Sequence, residues 1–139
     1  MNEQGSASVH VQDGNRPLSW LLFSFEGRIP RSTWWGASIA LSVIGVALEF
    51  AVASGARGGA ENGSPGLTLV LLLWLLVSFW MGIALNAKRW HDRGKTGWMT
   101  LVLLIPFLGW LWALVELGFL KGTSGSNAYG PDPLGSRAA

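Results

Sequence analysis

The stretch that decides the fold runs from Leu67 to Ala87 and reads LTLVLLLWLLVSFWMGIALNA. It contains no charged residue. A helix of about 20 mostly apolar residues crosses the roughly 30 Å hydrocarbon core of a bilayer. The stretch therefore predicts a transmembrane helix, and the rest of the chain is interpreted outward from it.

Two further stretches, one on each side, have a similar length and apolar character. They are Trp34 to Ala53 (WWGASIALSVIGVALEFAVA) and Trp98 to Leu120 (WMTLVLLIPFLGWLWALVELGFL). The stretch from Trp98 to Leu120 contains Pro106. We interpret this proline as a kink, because a membrane helix tolerates a proline when neighbouring groups satisfy the freed carbonyl. We predict an all-α membrane protein with three transmembrane helices, at about 34–53, 67–87 and 98–120.

The composition supports this class and excludes several others. Of 139 residues, 50% are hydrophobic and 13% are charged, whereas an average soluble domain has about 25% charged residues. Because the chain has no cysteine, it has no disulfide, thiolate nucleophile, zinc–cysteine site or iron–sulfur cluster. Only His10 and His91 offer imidazole. We expect no metal, no cofactor, no catalytic residue and no enzymatic activity.

Three segments lie outside the predicted spans. Residues 1–17 are polar and lack periodicity, so we predict a disordered tail. Residues 121–139 are rich in Gly, Ser, Pro and Asn and are predicted to be a flexible tail, which leaves 18–120 as the membrane domain. The segment from Leu18 to Glu26 (LSWLLFSFE) is apolar but too short to cross. We predict a short interfacial helix there; the alternative is a helix packed on the end of the bundle.

Lysine and arginine predict the orientation. In a three-span arrangement seven of them lie on one side and three on the other: Arg16, Arg28, Arg31, Lys88, Arg89, Arg93 and Lys95 against Arg57, Lys121 and Arg137. The positive-inside rule then places the N-terminus and residues 88–97 in the cytoplasm and the C-terminal tail outside. The net charge is only +2 and the cations gather at the membrane, so nucleic-acid binding is not expected.

The segment from Lys88 to Gly97 (KRWHDRGKTG) holds four cations beside one acid. Each cation near the surface contributes about 1 kcal/mol of attraction to an anionic leaflet. We therefore predict contact with lipid or with an acidic partner by Arg28, Arg31, Lys88, Arg89, His91, Asp92, Arg93 and Lys95. The alternative is that these residues only set the topology. Asp92 is expected to bind an arginine or a backbone amide rather than to form a catalytic pair with His91.

Two acids fall within the predicted spans. Glu49 and Glu116 each lie four residues before the outer end of a span, roughly 6 Å below the interface. A carboxylate there is costly unless it is paired, hydrated or protonated. Three interpretations stay open: both acids reach headgroups and water, both form a proton or cation site in a small transporter or ion-conducting oligomer, or both make hydrogen bonds between helices.

Small and polar residues recur at spacings of three and four in each span, as in Ser38, Ser42 and Gly45 of the first. Inside lipid such residues let helices approach closely. We expect these faces to meet in a bundle. The same faces would serve a homo-oligomer or a contact with another membrane protein.

Four motifs in order carry a family resemblance. They are FEGRIPR at 25–31 followed by Trp34 and Trp35, KRWHDRGKTGW at 88–98, IPFLG at 105–109, and Gly122-Thr123 followed by NAYGPDP at 127–133. Over about residues 18–134 the chain resembles the YhaH-type small bacterial inner-membrane proteins, known as domain of unknown function 805.

The resemblance implies a multi-pass protein of the bacterial cytoplasmic membrane and assigns no reaction, substrate or catalytic residue. It also implies that the arginines, His91, Asp92 and the tail motif act together. The tail motif at 127–133 looks like a turn that caps the bundle, because proline and glycine fix its path. If the tail packs against residues 88–97, both share one side of the membrane and the predicted orientation of the tail fails.

Overall fold

A computed structural model describes residues 16–57 and 65–135, which fold as helices joined by short turns. In chain order these are α1 (Leu18–Phe23), α2 (Arg31–Arg57), α3 (Pro65–Asp92), a 3₁₀ helix (Gly97–Leu104), α4 (Leu108–Ala113) and a π-helix (Leu114–Phe119). The described residues contain no strand beyond an isolated bridge between Asn127 and Gly130. The predicted all-α class is confirmed. Most of the predicted N-terminal tail, residues 58–64 and residues 136–139 lie outside the described part.

α2 and α3 are long and apolar enough to span a membrane. Their 27 and 28 residues rise about 40 Å, more than the roughly 30 Å of hydrocarbon. Large apolar side chains on them face outward, including Val46 (64% exposed), Phe50 (69%) and Leu76 (68%). In water such a surface would cause aggregation, whereas acyl chains solvate it. Two of the three predicted spans are therefore present as helices of spanning length.

The end of α3 lies further along the chain than the sequence predicts. Residues 88–97 are expected to be a connection, yet the helix continues to Asp92. Gly94, with φ +69°, ends it: the Gly94 amide donates to the His91 oxygen and the Lys95 amide to the Trp90 oxygen, both at 2.9 Å. This hydrogen-bond pair is a Schellman motif, which needs a left-handed residue such as glycine. The charged residues before Gly94 consequently stand on a rigid helix.

Residues 97–120, termed the hairpin, do not form the predicted continuous third helix. The chain reverses at a γ-turn, in which the Leu108 amide donates to the Pro106 oxygen at 2.7 Å. Phe107, at φ 60° and ψ −65°, has the dihedral angles of this rare turn. The indole nitrogen of Trp110 donates to the Leu103 oxygen at 2.8 Å and ties the two arms together. Pro106 therefore marks a reversal rather than a kink.

Both ends of the hairpin lie beside the C-terminal end of α3. A Cβ placed on Gly97 would be 3.0 Å from that of Ala87, and the Arg89 guanidinium donates to the Leu120 oxygen. The 3₁₀ arm has 8 residues and reaches about 16 Å at 2 Å per residue, roughly half of the hydrocarbon core. Both ends of the hairpin thus lie at one end of the molecule, and residues 98–120 do not form the single long helix that the three-span prediction requires.

The buried core lies at this same end of the molecule. Trp90, Ala113 and Leu117 are buried together, with Trp34 and Met99 packed against them. Because α3, the hairpin and the start of α2 meet here, the core positions the charged residues that surround it.

Candidate functional site

Most charged side chains of the described residues gather around this core in one cluster, termed the basic end. Four of its members are at most 5% exposed: Arg28, Lys88, Arg89 and Asp92. Buried charges are tolerated only when they are paired or hydrogen-bonded. The partners of these side chains therefore determine what the basic end does.

Asp92 is the centre of the basic end. Its Oδ1 accepts a hydrogen bond from Nε of Arg28 at 3.1 Å and pairs with Nη2 of Arg28 at 3.0 Å. Its Oδ2 accepts from Nη1 of Arg89. A Cβ on Gly122 would overlap this carboxylate, so only glycine allows the chain to pass. One acid thus balances two guanidinium groups from different parts of the sequence, and the predicted arginine partner of Asp92 is present.

Arg28 holds the chain that comes after the hairpin. Its Nη2 donates to the Thr123 oxygen at 2.6 Å, and its Nη1 donates to the Gly125 oxygen at 2.7 Å and the Gly130 oxygen at 3.2 Å. The Thr123 backbone amide in turn donates to the backbone carbonyl oxygen of Asp92 at 2.8 Å. The structure therefore places residues 121–135, predicted to be a flexible tail, against the basic end.

Two arginines fasten the returning arm of the hairpin. Nε of Arg89 donates to the Leu117 oxygen at 2.7 Å, and Nη1 of Arg31 donates to the Phe119 oxygen at 3.1 Å. The last carbonyls of a helix lack intrahelical donors and carry partial negative charge. The guanidinium groups supply both the missing donors and the opposite charge.

Glu116 forms a second ion cluster at the same level. Its Oε2 accepts from Nε of Arg93 at 3.0 Å, and its Oε1 accepts from Nζ of Lys95. Burial alone would raise the pKa of Glu116, but the hydrogen bonds from Lys95 and Arg93 outweigh it and lower the pKa below its ordinary value. Glu116 is therefore a paired anion that ties the turn after α3 to the hairpin.

Lys88 anchors α1. Its ammonium donates to the carbonyl oxygens of Trp20 at 3.1 Å, Leu21 at 2.5 Å and Ser24 at 2.5 Å. These carbonyls lie at the C-terminal end of the short helix and just after it. α1 is thus packed on the end of α3, which is the alternative to the predicted purely interfacial position.

His91 joins the N-terminal segment to the tail motif. Its Nδ1 lies 3.2 Å from the Gly27 oxygen, and its ring stacks on Tyr129 at 3.9 Å between centroids and 3° between planes. Nδ2 of Asn127 donates to the His91 oxygen at 2.9 Å. The joint action of His91, Asp92 and the tail that the resemblance implies therefore has a direct geometric basis.

The structure separates the two predicted intramembrane acids. Glu49 lies about 27 Å along α2 from Arg31, whereas Arg31 contacts Phe119, close to Glu116. Glu49 lines a groove of about 490 Å³ between α2 and α3, together with Ser38, Ser42, Ser78 and Asn86. The two acids do not lie at a similar depth, because the hairpin returns Glu116 to the basic end.

All eight residues predicted to contact lipid or a partner lie at the basic end, but they do not all face outward. Arg28, Lys88, Arg89 and Asp92 are buried, while Arg31 is exposed and the other three are of intermediate exposure. Sequence reasoning missed the contribution of Lys121. It reached Thr123, Asn127 and Tyr129 only through the motifs that carry the family resemblance. In the described ranges, His, Asp and Glu form no group of three that could hold a metal.

Two helices of membrane length, a half-depth hairpin and an ion cluster at one end define a small helical membrane protein. Residues 22–131 match the family described as protein of unknown function (DUF805). The chain belongs to this family, so the resemblance inferred from the motifs is confirmed.

Relatives within the family are inner-membrane proteins. The chain is 34% identical over 111 residues to inner membrane protein YhaI of Escherichia coli K12, covering 78% of this chain and 85% of YhaI. It is 32% identical over 110 residues to inner membrane protein YhaH of the same strain, covering 78% and 86%. No solved structure matches the chain. The relatives support a location in the bacterial inner membrane.

Proposed function

We propose that this chain is a non-enzymatic component of the bacterial inner membrane whose basic end faces the cytoplasm and contacts anionic lipid headgroups. The charge imbalance of that end carries the proposal. Eight cations gather there against four acids: Arg16, Arg28, Arg31, Lys88, Arg89, Arg93, Lys95 and Lys121 against Glu26, Asp92, Glu116 and Asp132.

The orientation rests on the same imbalance. The hairpin brings Lys121 to the basic end, where its carbonyl accepts a hydrogen bond from Arg93, whereas Arg57 ends α2 at the opposite end. Cytoplasmic segments near membrane helices carry the excess of lysine and arginine. The bias is therefore stronger than the seven-to-three split expected from three spans.

The cations of the basic end that reach the surface are the ones that can meet lipid headgroups. The buried guanidinium and ammonium groups of the basic end already bind carbonyls and Asp92. Arg31 and Lys121 are exposed, as is Arg16, whose guanidinium also lies 4.3 Å over the Trp20 ring. These three side chains form the rim that meets phosphate groups, each with about 1 kcal/mol of attraction.

Lipid retention tests the proposal. The purified protein is incubated with mixed phosphatidylglycerol and phosphatidylcholine, and the bound lipids are counted by native mass spectrometry. Combined Arg31→Glu and Lys121→Glu substitutions should abolish the preference for phosphatidylglycerol, and added salt should weaken it by screening. Arg57→Glu, at the other end, is the matched control. A preference that survives the double substitution or ignores salt contradicts the proposal.

The non-enzymatic assignment rests on how the polar groups are used. At the basic end, the buried charged side chains bind one another and backbone carbonyls, which leaves none of them as a nucleophile or base poised on a substrate. A transporter that uses Glu49 and Glu116 together has less support, because the two acids are far apart and Glu116 is ion-paired. Ion flux in proteoliposomes that disappears with Glu49→Gln would favour this transporter over the lipid-contacting component that we propose.

A further inference from the structure

A mostly apolar cavity of about 520 Å³ opens beside the basic end. Its walls come from four parts of the chain: Phe25 before α2, Ile83, Ala87 and His91 of α3, Thr96, Gly97 and Trp98 at the start of the hairpin, and Tyr129 of the tail motif. Binding pockets for small ligands have volumes of roughly 300 to 1,000 Å³. None of the rim cations lines this cavity, so it is separate from the surface proposed for anionic lipid.

The cavity extends along α3 from the basic end toward the middle of the helix. His91 and Tyr129 belong to the basic end, whereas Ile83 lies about 12 Å deeper along α3. Trp98 is 79% exposed, and Phe25 meets the outward-facing ring of Trp80 edge-on at 5.3 Å. An occupant therefore places a polar group near His91 and an apolar chain beside Ile83, and it enters from the surrounding lipid.

His91 defines the polar group that fits. A backbone carbonyl only accepts hydrogen bonds, so Nδ1, which faces the Gly27 oxygen, carries the hydrogen of the neutral ring and Nε2 is left as an acceptor. Nε2 would lie 3.3 Å from a Cβ on Gly97, a residue of the cavity wall. Among the described residues no group donates to Nε2. An occupant that carries a hydrogen-bond donor therefore fits this acceptor, whereas an ionised phosphate group has no donor.

The aromatic lining of the cavity further restricts which polar group fits beside His91. Tyr129 lies flat against His91, and Trp98 and Phe25 complete the wall. Aromatic faces attract ammonium groups, and a primary ammonium also donates hydrogen bonds. We propose that this cavity binds phosphatidylethanolamine, with its ammonium donating to Nε2 of His91 and an acyl chain along Ile83 and Ala87. The proposal does not depend on the orientation of the protein or on anionic-lipid contact.

Competition between lipids tests this assignment. The full chain is incubated at about pH 8, where an ordinary histidine is neutral, with equal amounts of phosphatidylethanolamine, phosphatidylcholine and phosphatidylglycerol. High salt screens binding at the cationic rim, and native mass spectrometry counts the bound lipids. Phosphatidylethanolamine should exceed phosphatidylcholine by about fivefold, the size expected of one hydrogen bond, because a choline headgroup is cationic but has no N–H.

Two variants locate the site. His91→Asn keeps a donor for the Gly27 oxygen but has no atom at the position of Nε2, so the preference for phosphatidylethanolamine should disappear. Ile83→Trp fills the apolar part and should lower retention of the same lipid even if the His91 variant fails to fold. Leu76→Trp, on the outward face of α3, is the matched control and should retain it. Equal binding of the three lipids by the native chain, or unchanged retention by Ile83→Trp, overturns the proposal.

Discussion

At the scale of single residues, Asp92 is the side chain on which the basic end depends. It balances Arg28 and Arg89, and these arginines in turn hold the tail and the hairpin. Removing one partner of a buried ion pair leaves an uncompensated charge in a low-dielectric environment, and that costs about 3–5 kcal/mol. The stability of four segments is therefore coupled through one carboxylate.

We expect Asp92→Asn to lower the stability of the detergent-solubilised protein by several kcal/mol, about 3–5 by the cost of an unpaired buried charge. Thermal unfolding followed by tryptophan fluorescence measures the effect. Glu26→Gln, at an exposed acid of the same end, is the control and should change stability little. Equal unfolding temperatures for the two variants would show that Asp92 is not the hub.

Glu116 gives the basic end a defined pH dependence. Hydrogen bonds from Lys95 and Arg93 lower its folded pKa, so the stabilisation is complete above the unfolded pKa of about 4.3. It is lost as the pH falls through the lowered folded pKa. Glu116→Gln should therefore destabilise the protein at neutral pH and reduce the loss of stability on acidification. Unfolding temperatures measured from pH 7 to pH 3 check this, and parallel curves for the two proteins would rule it out.

At the scale of elements, apolar length predicts α2 and α3 but not the hairpin after them. An uninterrupted apolar run leaves few alternatives to a helix in lipid, so both helices could be found from sequence. The sequence prediction ends α3 too early because it places the last charged residues in a loop, although Gly94 is a recognisable helix stop signal. The hairpin was missed because a proline in an apolar stretch fits a kink or a reversal equally well. The positive φ of Phe107 distinguishes a reversal from a kink. No residue type in IPFLG predicts that conformation.

α1 offers a test of how the elements are joined. Six residues are too few for a stable isolated helix, so its position depends on the Lys88 ammonium. Lys88→Met keeps most of the apolar stem but removes the three hydrogen bonds to α1 and Ser24. Amide hydrogen exchange of residues 18–24 should become at least tenfold faster, about the effect of losing 1.4 kcal/mol of local stability. Lys95 contacts Glu116 and not α1, so Lys95→Met should leave α1 protected. Equal exchange in both variants would contradict the role of Lys88 as the anchor of α1.

At the scale of the whole molecule, the predicted membrane class and family hold, while the path of the last third of the chain differs from expectation. The charges of residues 88–97 lie with Arg28 and Arg31 at the basic end. The sequence does not predict that these side chains turn inward to bind backbone carbonyls. Those carbonyls are exposed only because α1 and the hairpin end beside them. The predicted level of Glu116 differs from its observed level for another reason: its position is set by the reversal at Phe107 and not by its distance along the sequence.

We infer that residues 97–120 return to the side they leave, so that the chain before α2 and the chain after the hairpin share one side of the membrane. The absence of native cysteine allows a direct measurement with single substitutions Ser19→Cys, Ser54→Cys and Ser126→Cys and a membrane-impermeant maleimide. We expect Ser19→Cys and Ser126→Cys to be labelled from the same side and Ser54→Cys from the other. Labelling of Ser126→Cys from the same side as Ser54→Cys would contradict the hairpin and support three spans.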